Sequence, residues 1–139
     1  MANGWNMKRT DIEIMAPVGC YESLHAAINA GANSVYFGIG RLNMRSASAA
    51  NFSEKDLEQI VAIAHEAGVK TYLTVNTIIY DDEMQAMHEV VDKAKEVGVD
   101  AIIASDLAVI TYAYHAGVEV HISTQCNISN IEAAEFYSQ

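Results

Sequence analysis

Along the chain, short apolar runs alternate with longer segments in which apolar positions recur every three or four residues. Four times a helical segment runs into a glycine and then into a β-rich run. This happens at Gly31 before Phe37, Gly68 before Leu73, Gly98 before Ile103 and Gly117 before Ile122. Glycine takes the left-handed conformation that ends a helix without steric cost. The pattern predicts strands at Ile12–Ala16, Ser34–Gly38, Thr71–Val75, Ala101–Ala104 and Glu119–Ser123. Pro17 is expected to close the first, because it has no amide hydrogen for a ladder. Helices are expected over Tyr21–Ala30, from Ser53, from Asp81 or Asp82, from Ser105 or Asp106, and from Ser129 or Asn130. Leu57, Ile60, Val61 and Ala64 form one buried stripe, and Met84, Met87, Val91 and Ala94 another. Methionines at that spacing read as core packing rather than as ligands.

Strands that alternate with helices form a parallel sheet with right-handed crossovers. Two architectures fit: the first five βα units of a TIM-barrel-like domain, or a compact five-stranded doubly wound sheet. In the barrel reading, residues 1–11 are an N-terminal extension and 12–139 a partial βα domain cut within its fifth helix. Such a piece carries open sheet edges, so a homo-oligomer formed through them is expected.

Composition narrows the functional classes. With 51% hydrophobic residues and a single proline, the chain is a folded globular protein. A net charge of −10 makes this segment by itself a poor nucleic-acid binder, since phosphates repel it. No apolar run reaches the roughly 18 residues of a membrane span, and the start lacks an apolar signal segment. Two cysteines without an export signal point to reduced thiols and a cytoplasmic location.

In either architecture the functional rim lies at the carboxyl ends of the strands. There the sequence places Pro17–Cys20, the loop from Ile39 to Phe52, Asn76–Tyr80, Ser105 with Asp106, and Thr124–Asn127. The second loop is longer than usual and holds two of the three arginines, Arg41 and Arg45. An arginine there grips a carboxylate or phosphate through its planar fork. Period-two alternation sets Val120 and Ile122 on one face of the last strand and His121, Ser123 and Gln125 on the other. Arg45, Asn76, Asp106, Ser123, Gln125 and Asn127 are therefore the substrate-binding candidates. Asp106 doubles as a helix cap, and His121 reads as a core histidine. No zinc motif or Cys-x-x-Cys pair occurs, so no metal ligands are assigned. Cys20 and Cys126 follow the first and last strands and are expected to stay unpaired.

Six segments in order resemble the N-terminal part of the collagenase-like peptidases, unassigned-type peptidase family thirty-two. They are IMAPVG (Ile14–Gly19), AGANSVYFG (Ala30–Gly38), NMRSASAANFS (Asn43–Ser53), TVNTII (Thr74–Ile79), VDAIIASDLA (Val99–Ala108) and HISTQCNISN (His121–Asn130). The resemblance implies the TIM-barrel-like architecture and a peptidase acting on collagen-like substrates. For some relatives it implies an iron–sulfur cluster and hydroxylation of RNA bases or of a quinone precursor. That cluster belongs to a cysteine signature absent from this chain, so no cofactor is expected here. Under the first reading the partner is a peptide. Under the second it is a small anionic ligand or base held by Arg45, Asn76 and Gln125. A truncated domain without activity of its own is the third.

Overall fold

The computed structural model describes residues 8–43 and 52–139. Five short parallel strands form one sheet: β1 (Met15–Pro17), β2 (Ser34–Phe37), β3 (Lys70–Val75), β4 (Ala101–Ala104) and β5 (Val120–Ile122). Between and after them run α1 (Tyr21–Asn29), α2 (Leu57–Glu66), α3 (Met84–Val97), α4 (Leu107–Ala116) and α5 (Ile131–Tyr137).

Strand order is β1-β2-β3-β4-β5, each strand pairing in parallel with the next in sequence. A doubly wound sheet reverses direction partway and covers both faces with helices. Here there is no reversal, and α1 packs on α2, α2 on α3 and α3 on α4 along one face. The fold is of the TIM-barrel type, and the doubly wound alternative is overturned by the strand order.

The helix-facing side chains make the core. Val35 and Phe37 of β2, Leu73 and Val75 of β3 and Ile102 of β4 are fully buried against Leu24, Leu57, Ile60, Met87 and Val109. Gly98 (φ 82°) and Gly117 (φ 76°) end α3 and α4 in the left-handed conformation that the sequence demanded. Met87, Val91 and Ala94 are buried as a stripe, joined by Val90.

Three local expectations shift. The first strand is Met15–Pro17 rather than Ile12–Ala16, because Arg9–Asp11 form a turn in which the Asp11 carboxylate accepts from the Lys8 amide. Pro17 lies within that strand, tolerated because β1 is an edge. A single 3-10 turn, Asp81–Glu83, precedes α3, and Glu83, not Asp81 or Asp82, reaches back to the Tyr80 amide at 3.0 Å. After β5 the chain turns sharply through Thr124–Cys126, so Gln125 does not continue the strand alternation.

Candidate functional site

The face opposite the helices is where the strands differ from ordinary parallel strands, which read apolar on both sides. Alternation places Tyr36, Tyr72, Thr74, Ile103 and His121 there. Strand register sets Tyr36 beside Tyr72, and Thr74, Ile103 and His121 in one row. Met15, Tyr36, Thr74, Asn76, Ile103, His121, Ser123 and Thr124 line a hollow of about 410 Å³ touched by all five strands' segments.

Hydrogen bonds fix its walls. Buried Thr74 donates its hydroxyl to the Phe37 carbonyl at 3.0 Å, tying β3 to the end of β2. Ser105 donates to the Asn76 carbonyl at 3.0 Å, tying the loop after β3 to that after β4. Ser123, buried at the end of β5, accepts from the Gln125 amide at 3.3 Å and so shapes the turn that follows. Outside the hollow's lining, the Tyr72 hydroxyl donates to exposed Glu13, whose other oxygen lies 3.3 Å from Lys70 Nζ. Burial, then the Glu13 carboxylate, push the Tyr72 phenol up to about 12. The hydrogen bond from Tyr72 in turn holds the Glu13 carboxyl below its ordinary value.

His121 stands in this hollow rather than in the core. Its Nε2 lies 2.9 Å from Glu119 Oε1, and its ring meets the Tyr72 ring edge-on with centroids 4.7 Å apart. A carboxylate only accepts, so this nitrogen carries the proton.

The six candidates separate. Asn76 and Ser123 line the hollow. Asp106 caps α4, its Oδ1 accepting from the Ala108 amide at 2.8 Å and its Oδ2 from the Ile79 amide at 3.1 Å. Gln125 and Asn127 are exposed on the turn after β5, where Asn127 donates to the Gln125 carbonyl at 3.1 Å. Arg45 lies outside the described residues. A search restricted to strand ends misses Tyr36, and with it the paired Tyr72. The period-two alternation through β2 and β3 is the signal that finds the two tyrosines.

Asn43 is a further miss. It is fully buried and donates to the Ile39 carbonyl at 2.9 Å, packed so tightly on Gly38 that a Cβ there would stand 2.3 Å from its Cγ.

A family-model match to peptidase family U32 covers residues 19–139. The chain belongs to peptidase family U32. It is 59% identical over 133 residues to a protein named Collagenase from Porphyromonas gingivalis, covering 96% of this chain and 32% of that protein. Against the 23S rRNA 5-hydroxycytidine synthase of Escherichia coli the identity is 35%, covering 91% of this chain and 19% of that one. The chain therefore spans a third or less of the length of these relatives. The solved structure of a U32 peptidase superposes with a TM-score of 0.73 at 13% identity, covering 91% of this chain and 54% of the other. At that identity it speaks for the shared fold alone.

The iron–sulfur cluster that the family resemblance implies for some relatives does not fit the thiols of this chain. Cys20 and Cys126 are both free and follow the two opposite edge strands, and four thiolates are the usual set. Among the described residues, no three His, Cys, Asp or Glu side chains gather as metal ligands, and no helix is long and apolar enough to cross a membrane.

Proposed function

We propose that the hollow is part of the substrate site of a U32 enzyme that hydrolyses peptides of the collagen type. The observation that carries this reading is the 59% identity, over nearly the whole chain, to a protein named Collagenase. The geometry is compatible with it: an open hollow with an amide at its mouth and hydroxyls fixed by the backbone suits an extended, polar chain. The test is cleavage of gelatin by the purified protein, with Asn76→Ala raising KM. Intact gelatin under all conditions refutes it. The two free thiols fit a reducing compartment, and the cytoplasm is the proposed location.

A second reading is hydroxylation of an RNA base. It is favoured by the 35% identity to the rRNA hydroxycytidine synthase and by the rings of Tyr36 and His121 in the hollow, which suit a flat heterocycle. In this reading Asn76 holds the base or a small anionic co-substrate. Deleting the gene then removes a hydroxylated nucleoside from total RNA, read by mass spectrometry, and gelatin is untouched.

A further inference from the structure

We propose that His121 is the proton-transfer group of the hollow and that Glu119 is its positioning residue. The inference rests on the reading of the hollow as a substrate site, and it holds for either reaction, since each moves protons. Among the described residues that line the hollow, His121 is the only one whose type titrates near neutral pH; Tyr36 is the other ionisable group. Of the hydroxyls around it, Thr74 donates to the Phe37 carbonyl and Ser105 to the Asn76 carbonyl, while Ser123 accepts from the Gln125 amide.

The arrangement gives His121 what such a group needs. Glu119 accepts from Nε2, which leaves the Nδ1 lone pair as the basic atom. Glu119 immediately precedes β5 and His121 is its middle residue, and the bond from the Ile102 amide to the Glu119 carbonyl ties this stretch to β4 and so sets their spacing. From β3 the Tyr72 ring braces the imidazole, and Tyr72 is itself held by Glu13. In the step, Nδ1 takes a proton from a ligand or water O–H or N–H. The electron pair stays on that atom, and the imidazolium formed is stabilised by Glu119. The proton then returns from Nδ1 to the leaving group or product, restoring neutral His121.

Two measurements test it. Long-range proton–nitrogen spectra of the labelled protein, recorded with the imidazole neutral, should show His121 protonated at Nε2 and bare at Nδ1. Glu119→Gln should move part of the population to the other tautomer. A protonated Nδ1 in the wild type, or spectra unmoved by Glu119→Gln, overturns the positioning role. In gelatin cleavage, His121→Gln should lower kcat at least about 100-fold with KM little changed, while Asn76→Ala raises KM and keeps kcat. A His121→Gln protein with full kcat overturns the proton-transfer role even when Asn76→Ala behaves as expected. If gelatin stays intact, the peptidase reading falls and the same variants are scored by the hydroxylated nucleoside in cells. An unchanged nucleoside level in His121→Gln, or no turnover in either assay, overturns the proposal.

Discussion

Asp106 gives the sharpest stability test, because one carboxylate holds two elements. Its Oδ1 caps α4 through the Ala108 amide, and its Oδ2 takes the Ile79 amide from the loop after β3. Asp106→Ala removes both. Loss of an N-cap costs about 1 kcal/mol. The Ile79 amide is then left part-buried without an acceptor, which costs about 1–2 kcal/mol, the lower part of the range for a fully buried donor. The sum is about 2–3 kcal/mol, or roughly 6–9 °C in Tm for a chain of this size. Asp106→Ser keeps a capping oxygen but is too short to reach Ile79, so about 1–2 kcal/mol should be lost. Urea unfolding followed by circular dichroism measures both, with m unchanged if only the native contacts differ. Asp106→Ala within about 0.5 kcal/mol of wild type, the range of an ordinary surface substitution, refutes the double tie. Equal losses in the two variants assign the whole effect to Ile79 and none to the cap.

Four further outcomes follow from the geometry. Phenolate absorbance should show one tyrosine titrating near 12, and Tyr72→Phe should abolish that step. A raised folded value stabilises the protein fully below the unfolded value of about 10 and is lost as pH climbs through 12. Burial raises the Asp100 carboxyl, but His65 and the amide and hydroxyl of Thr71 more than offset this and hold it below its ordinary value. Its contribution is present above the unfolded value and lost as pH falls through the folded one, so the penalty of Asp100→Asn in chemical unfolding should be full at neutral pH and vanish in acid. Gly38→Ala should cost about 1–3 kcal/mol, since its Cβ would overlap the buried Asn43 side chain; a thermal melt unchanged by it contradicts that packing. The edges of β1 and β5, with exposed Tyr114, Ile131 and Phe136 near the latter, lead us to propose association between copies. Sedimentation should show a mass that rises with concentration, and a monomer at every concentration refutes it.

Much of the fold was legible because its signals are local. A glycine after an apolar-periodic segment needs no distant partner to end a helix, and Gly98 and Gly117 do so where expected. Asn130 and Asp106 cap their helices through bonds to residues two or three away. What failed to show is set by contacts distant in sequence or by competing turns. Asp81 and Asp82 lost the cap to Glu83, whose longer side chain reaches the Tyr80 amide from the end of a 3-10 turn. Gln125 left the strand face because Ser123 drew its amide into a turn. The second role of Asp106 depends on Ile79, 27 residues away, and no local pattern carries that.

The same distinction explains why the site was half visible. Asn76 and Ser123 sit where strands end, and ends are easy to mark by polarity. The wall below them consists of Tyr36, Thr74 and His121, each flanked in sequence by residues buried to different degrees under the helices. Parallel strands covered on both faces should be apolar on both faces. β4, with Ala101, Ile102, Ile103 and Ala104, obeys that rule, whereas β2 and β5, and β3 beyond Thr71 at its start, break it on one face only. Apolar packing of that face would favour aliphatic side chains at 36, 74 and 121, so the polar groups there cost stability that a filled barrel interior would not. A one-sided break of the apolar rule, in three strands whose register brings the exceptions together, is therefore the sequence-level mark of the hollow. His121 belongs to that set, and this is why its reading moves from core residue to the wall of a site.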